Sequence, residues 1–500
     1  MATMNQQAAS DRVDFVKTPA APARNEIVLL AGLALLPGAA LRLPALFGRE
    51  LWLDELFSYA FAITPRWELF RPSTTLPHTP LFFFIASFIP TSAPDWVFRL
   101  PALFFNLLFI VLVTIMVRRR HGREESVIVG LILATHPLLV YWSGELRMYT
   151  LYGLLLSTTI VAIATRSLRG RWWGPLFAAS FFTFPYALYH LPWFLVVAAW
   201  RRDREALLSM AVWMAPVIAW LGPALLHLHG MIGHENFDYL TFHTLLVFLK
   251  TTFAGNYLTG SVPAAALWMA LGSGLIGLVA ILRAPWRRRH EWPLSVFAAA
   301  SGAILIYWLV QQVSGQGFTY RSFFAVSQLL ILLGAVGLAS IPIRPLRWAL
   351  VAAVLIAHGL VLAHYHDLDC PYNFNTPRAI RIDRLAGKVL PTLKEDDALY
   401  MRHLVPAMAA LRYFPPHRAR MHLDPDHYDQ QIMAMERGFF AALFERHGIR
   451  IARPAIEPRT SASPARLVLI EPMHLEIPEY PDWRRTFVLE EAGYRAVIYE

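Results

Sequence analysis

Five hundred residues would suffice for about three soluble domains, but the chain is 56% hydrophobic and only 16% charged, against roughly 25% charged in globular proteins. An ordinary cytosolic enzyme is excluded, and 27 glycines with 35 prolines are close enough to average usage to exclude collagen-like and Pro/Gly-driven disordered chains. The 45 Lys and Arg against 35 Asp and Glu, a formal +10, gather in short arginine clusters between apolar runs. That is the positive-inside signature of a polytopic membrane protein, so membrane lipids and not nucleic acid are the expected surroundings.

Residues 1–25 read as a cytoplasmic tail carrying Arg12, Lys17 and Arg24. The apolar run from Ile27 to Phe47 has no small-residue cleavage site after it, which predicts an uncleaved first helix and a first exoplasmic loop over 48–95. Leu81–Pro90, bounded by prolines, is too short for a roughly 30 Å hydrocarbon core and predicts a re-entrant or interfacial helix. Trp96–Val117, Ser126–Trp142 and Met148–Thr165 then cross in alternation. Gly174–Trp200 reads as two short passes meeting near Tyr189-His190, because a single pass would leave Arg201, Arg202 and Arg204 outside. Ala206–Leu226, Val262–Leu282, Leu294–Val313, Phe323–Ile341 and Trp348–Ala363 complete an all-α transmembrane domain, 26–364, of about eleven spans. Every arginine cluster is then cytoplasmic: Arg118-Arg119-Arg120 with Arg123, Arg166/Arg169/Arg171, Arg201-Arg202 with Arg204, Arg283 with Arg287-Arg288-Arg289, and Arg344/Arg347.

Composition turns soluble over 365–500. Short β-like runs at Ala398–Met401, Arg466–Ile470 and Arg495–Ile498, with helical stretches such as Ile432–Arg446, predict a small α/β domain, placed outside by parity. The single cysteine, Cys370, allows no internal disulfide and no multi-cysteine metal site.

Polar groups at membrane depth or at the exoplasmic face are costly, and function is sought among them. Asp54 and Glu55 follow Trp52 just beyond the first helix. Neighbours on a helix point about 100° apart, so one can face a cleft while the other caps or binds a cation; the blander alternative is two acids in the first turn of an interfacial helix. Glu145, Arg147 and Tyr149 form a charged turn between two spans on the same face, which alone would pass for a solvated turn. His78, Arg99, His190 and Tyr320-Arg321 are single polar groups that alone would be interfacial or snorkelling residues. Their convergence on one side, under a topology derived without them, points to arginine and histidine donors near carboxylates. Such a set suits a lipid-borne phosphate and an activated hydroxyl.

The ordered set Trp52-Leu53-Asp54-Glu55 with Ser58, His78-Thr79-Pro80-Leu81, Arg99-Leu100-Pro101, Glu145-Leu146-Arg147-Met148-Tyr149, Tyr189-His190 and Tyr320-Arg321 resembles the multi-spanning glycosyltransferases of the GT-C superfamily, over roughly residues 26 to 364. The pattern is most similar to the family 39 and 83 group, which includes protein mannosyltransferases, the lipid A aminoarabinose transferase and lipopolysaccharide-core galacturonosyltransferases. The resemblance implies inverting transfer of a sugar from a polyprenyl-phosphate carrier to a glycan, lipid or protein acceptor at the exoplasmic face of the inner (plasma) membrane, in cell-envelope polysaccharide or lipopolysaccharide modification. Asp54 falls on the family's first-loop acidic residue, implied as the catalytic base or as the group that holds the acceptor, with Glu55 its catalytic neighbour in the same motif. Arg147 and Arg321 are implied for the donor phosphate, and Trp52, His78, Arg99, Glu145, Tyr149, His190 and Tyr320 for the cavity. No cofactor is certain. Some relatives bind a divalent metal, for which Asp54, Glu55 and His78 are the candidate ligands, and that set leaves the metal unspecified. The sequence departs from the family at Thr79-Pro80, where two prolines usually follow the histidine, and in Pro185–His190. The rival classes are a lipid-linked-oligosaccharide ligase or polymerase, and a non-catalytic transporter of lipid-linked sugars. A transporter calls for ionisable groups near the midplane of several spans.

Overall fold

The computed structural model describes residues 23–47, 50–70, 79–227, 240–254, 272, 274–276, 279, 291–314, 320–365, 382–414, 420–426, 437–452, 466–472, 484–491 and 494–499. The described helices are α1 (Arg24–Leu46), α2 (Leu53–Ala62), α3 (Leu81–Ala86), α4 (Asp95–Arg118), α5 (Arg123–Thr135), α6 (Pro137–Ser143), α7 (Tyr149–Ala164), α8 (Trp173–Thr183), α9 (Leu191–Trp200), α10 (Arg204–His227), α11 (Phe242–Ala254), α12 (Glu291–Ser314), α13 (Phe324–Ala339) and α14 (Arg344–Tyr365). By length and composition, α1, α4, α10, α12, α13 and α14 can cross a membrane. The pair α5 and α6, bent by 55°, adds a seventh candidate. The span expected at Val262–Leu282 and Cys370 lie largely or wholly outside the described residues.

The helix ends meet at two poles. At one, Arg118 pairs with Glu26, Arg344 and Arg347 with Glu124, and Arg166 with Glu291, while Trp292 donates to His121. These contacts bring together the ends of α1, α4, α5, α7, α12 and α14 that carry the arginine clusters. Both ends of the Gly174–Trp200 segment lie there too: Gly174 N–H donates to Ser209 Oγ and Arg201 to the Ile163 carbonyl. The segment is therefore a hairpin of the short helices α8 and α9, joined by a 3-10 turn at Pro185–His190. Proline at 185, whose ring removes a backbone donor, ends the first arm. The Leu81–Pro90 stretch likewise folds as the six-residue α3.

Helix α13 is buried along its whole length, as a helix apolar on all sides must be. It packs on α5, α7, α11, α12 and α14. Its approach to α7 is set at Gly153, where an added Cβ would stand 2.2 Å from Gln328 Oε1. Helix α11, which the sequence patterning does not assign, is apolar but only 13 residues long, and its Thr252 hydroxyl meets Ser327 of α13 at 2.9 Å.

The break between α5 and α6 has a local cause. Pro137 has no N–H, and Leu138 N–H donates to His136 Nδ1 instead of back into α5. The stranded Ala134 carbonyl takes Arg42 Nη1 at 2.6 Å, and Arg42 Nε reaches Asn106 Oδ1. A buried polar bracket thus fixes the bend that delivers the Gly144–Met148 turn.

The soluble part holds α15 (Ile382–Val389), α16 (Leu404–Tyr413), α17 (Arg437–Arg446) and a six-stranded sheet in the order β3-β2-β1-β4-β6-β5, with β1 Ala398–Met401, β2 Arg420–Leu423, β3 Ile449–Ile451, β4 Leu467–Pro472, β5 Arg485–Glu491 and β6 Tyr494–Tyr499. The strands β3, β2, β1 and β4 run parallel; β6 and β5 are antiparallel. The three β-like runs expected from the sequence are β1, β4 and β6. Strands β2 and β3 are too short to show an alternation, and β5 is an edge whose apolar run is only the three residues Phe487–Leu489.

Candidate active site

Opposite the arginine-rich pole, α2 begins at Trp52 and places Asp54 and Glu55 in its first turn. Glu55, the third helical residue, reaches back to accept from Trp52 N–H at 3.3 Å, the carboxylate half of a capping box. It is fully buried. Arg99 Nε donates to Oε1 at 2.8 Å and Nη2 to Oε2 at 2.7 Å, and Leu146 N–H adds a third bond at 2.8 Å. Arg99 also donates to the carbonyls of Leu46 and Glu50. One buried, bidentate pair therefore ties together the end of α1, the start of α2, α4 and the Gly144–Met148 turn.

Asp54 points elsewhere and is 20% exposed. Arg321 Nη1 donates to its Oδ2 at 2.6 Å, and Arg147 Nη2 lies 3.8 Å from the same oxygen. Arg147 is braced: Nη1 donates to the Asp54 carbonyl and Ser58 Oγ, Nη2 to the Tyr149 hydroxyl, and the guanidinium lies 5.6 Å from the Tyr149 ring centroid. Arg147 precedes the N-terminus of α7, and Arg321 sits in the 3-10 turn Tyr320–Phe323 that opens α13. Two guanidinium groups, carried by residues that flank the starts of α7 and α13, therefore converge on Asp54. This is an arrangement suited to an anion, since two fixed cations share one partly exposed spot.

Glu145 is buried and accepts from the Trp52 indole N–H. Beside Arg147 and Arg321 runs a wall of rings. Tyr149 meets Trp142 at 4.5 Å and Phe184 at 5.5 Å; Phe184 stacks on Tyr186; and Tyr186, Tyr189, Tyr307 and Phe323 close the group. Sequence inspection does not isolate this wall, because aromatic residues inside apolar runs look like core.

The structure thus brings together Trp52, Asp54, Glu55, Arg99, Glu145, Arg147, Tyr149 and Arg321. His190 ends the Pro185–His190 turn and is buried, next in sequence to Tyr189 of the ring wall. Tyr320 opens the turn that carries Arg321. His78 lies outside the described residues. Asp54 and Glu55 diverge to different arginines, and among the described residues no group of three His, Cys, Asp or Glu side chains converges as a metal site would require.

No family model matches the sequence, and no curated protein matches it. Among solved structures, the fold is similar to that of ArnT from Cupriavidus metallidurans. The apo state matches with a TM-score of 0.59 at 14% identity, over 95% of this chain and 97% of that one. The same protein bound to undecaprenyl phosphate matches with a TM-score of 0.58 at 14% identity, over 96% and 98%. The mostly helical fold expected for residues 26–364 is one shared with ArnT.

Proposed function

We propose that the protein is an integral-membrane inverting glycosyltransferase that moves a sugar from a polyprenyl-phosphate carrier to a glycan, lipid or protein acceptor. By the positive-inside rule the arginine-rich pole faces the cytoplasm, so the Asp54 pole and the soluble domain face outward from the inner membrane, with about eleven spans between them. Residues 26–364 form the transferase domain, and cell-envelope polysaccharide or lipopolysaccharide modification is its setting.

The observation that carries the reading is the meeting of Asp54, Arg147 and Arg321 at the N-termini of α7 and α13. It stands in a fold shared with ArnT, one structure of which is bound to undecaprenyl phosphate. In the proposed reaction the acceptor's nucleophilic atom bonds to the anomeric carbon as the bond from that carbon to the phosphate oxygen breaks. The electron pair leaves with the polyprenyl phosphate, whose growing charge is stabilised by Arg147 and Arg321. The acceptor's proton passes to Asp54. The two guanidinium groups that hold the Asp54 carboxylate are the ones that would meet the phosphate. Glu55 acts through Arg99 to fix this turn of α2; Glu145 orients Trp52; Tyr149 braces Arg147. Asp54 and Glu55 turn to different arginines, and His78, the third candidate metal ligand, lies outside the described residues.

The test is release of free polyprenyl phosphate from a panel of polyprenyl-phospho-sugars, with membrane extract as acceptor source, by the wild-type protein and by Asp54→Asn. Release with one sugar, lost in the variant, is the expected result. Release of a pyrophosphate carrier would favour the ligase or polymerase class. Movement of lipid-linked sugar with no donor consumed would favour a transporter and remove the catalytic roles.

A further inference from the structure

The soluble domain reaches the backbone at the start of α2 through Tyr413. Tyr413, the last residue of α16, donates its hydroxyl hydrogen to Asp95 Oδ2 at 2.8 Å, and its oxygen accepts from Leu51 N–H at 3.0 Å. Leu51 immediately precedes Trp52, the N-cap of α2, and Asp54 follows two residues later. Asp95 is the first residue of α4, one turn ahead of the Arg99 that grips Glu55. A single phenol thus joins the first turns of the two helices that set where Asp54 stands.

The surroundings hold that phenol in place. Arg412 donates from Nε to Asp95 Oδ1 at 2.8 Å and from its other nitrogens to the carbonyls of Thr91 and Ala93. Its guanidinium also lies 5.1 Å from the Tyr59 ring and 5.3 Å from that of Phe98. Glu50 Oε2 accepts from Asp383 N–H of α15, and Phe61 of α2 stacks on Phe439 of α17 at 5.0 Å. Leu51 is buried, so loss of the hydroxyl would strand its N–H away from water. Phenylalanine fits the same space and can do neither half of the job.

We infer that Tyr413 is a positioning residue for Asp54, and that the soluble domain completes the transferase site by fixing the first turn of α2 from outside the membrane. This rests on the reading of Asp54 as the base. A displacement of about 1 Å in a catalytic group is enough to cost on the order of 10²-fold in rate, so the expected effect falls on turnover and not on donor affinity.

The experiment compares full-length wild type with Tyr413→Phe, and with Arg446→Gln, which removes an exposed bridge to Glu68 elsewhere on the same interface. Donor turnover is measured together with hydrogen exchange of the amides over 51–58. Tyr413→Phe is expected to lower kcat about tenfold or more with KM for the donor within about twofold, and to speed exchange over 51–58. Arg446→Gln is expected to leave kcat near wild type. Unchanged exchange in Tyr413→Phe, faster exchange with wild-type kcat, or an equal fall in kcat in both variants would each overturn the inference. Should Asp54→Asn keep full turnover, or wild type consume no donor, the transferase reading fails instead. The exchange over 51–58 would still decide whether Tyr413 holds α2.

Discussion

Glu55 and Asp54 are chain neighbours with opposite surroundings. Glu55 is fully buried with both oxygens in the fork of Arg99, whereas Asp54 is partly exposed and bonded to Arg321 across 267 residues. The first carboxylate is built into the frame, and the second faces the space where two arginines meet. Adjacent acids that look equivalent in the sequence should therefore fail in different ways.

Glu55→Gln leaves the buried Arg99 charge without its counterion. Breaking one partner of a buried ion pair costs about 3–5 kcal/mol. The expected outcome is a clearly lower melting temperature for the detergent-purified protein, with activity lost along with the fold. Asp54→Asn, in contrast, should melt close to wild type and lose turnover by about 10²-fold or more. Comparable melting temperatures for Glu55→Gln and wild type would refute the division of labour.

Arg321 sits at the edge of the site and Arg147 inside it. If phosphate charge grows beside Asp54 as proposed, replacing Arg321 by Gln removes a fixed cation from that place, and kcat/KM for the donor should fall about 10²-fold. Arg321→Lys should recover part of that loss, since an ammonium restores charge but not the planar fork. Affinity for undecaprenyl phosphate, read by tryptophan fluorescence or calorimetry, should follow the same order. An Arg321→Gln protein with unaltered kcat/KM would remove Arg321 from the donor site.

The domain contact carries its own pH signature. Burial, with the Asp95 and Glu50 carboxylates nearby, raises the Tyr413 phenol above its ordinary value of 10.0. Below about pH 10 the phenol is protonated folded or unfolded and its contribution is whole. Above that, the unfolded chain binds fewer protons than the native one, so stability falls with rising pH until the raised folded value is passed. Wild type should therefore lose melting temperature more steeply above pH 10 than Tyr413→Phe, with the two curves parallel at neutral pH. Identical alkaline slopes would show that Tyr413 does not titrate with the fold.

What could be seen in the sequence follows from the cost of polar groups in an apolar chain. Asp54, Arg147 and Arg321 stood out because each interrupts or flanks an apolar run, and the arginine clusters fixed which ends of the helices share a pole. Proline and charge were enough to place the interruptions at Leu81–Pro90 and within Gly174–Trp200. The one-residue spacing of Asp54 and Glu55 implied divergent directions but not which acid would be buried. That was decided by Arg99, 44 residues on. Tyr413, Arg412 and Asp95 left no trace, for their pairings span more than 300 residues and tyrosine, arginine and aspartate are ordinary surface residues in a soluble domain. The α5–α6 bracket was hidden for a similar reason: Arg42 and Asn106 lie inside apolar runs and become intelligible only when the stranded Ala134 carbonyl is seen.

Gly153 links packing to chemistry. Helix α7 begins beside Arg147 and α13 beside Arg321, and the two come close where Gly153 faces Gln328, so the spacing of the two arginines depends on that approach. Ser157 Oγ donates to Gln328 Oε1 at 3.0 Å, and Gln328 is fully buried, so it has no solvent to retreat into. Gly153→Ala puts a methyl group where the amide stands; overpacking of this kind costs about 1–3 kcal/mol. The melting temperature should fall, and kcat/KM for the donor should fall with it as Arg147 and Arg321 move apart. Shortening the opposing side chain in Gly153→Ala/Gln328→Ser should recover much of both losses, although Gln328→Ser alone is destabilising for the hydrogen bond and volume it removes. Strict additivity of the two substitutions would mean that the clash is absorbed elsewhere and that this crossing does not set the distance between the arginines.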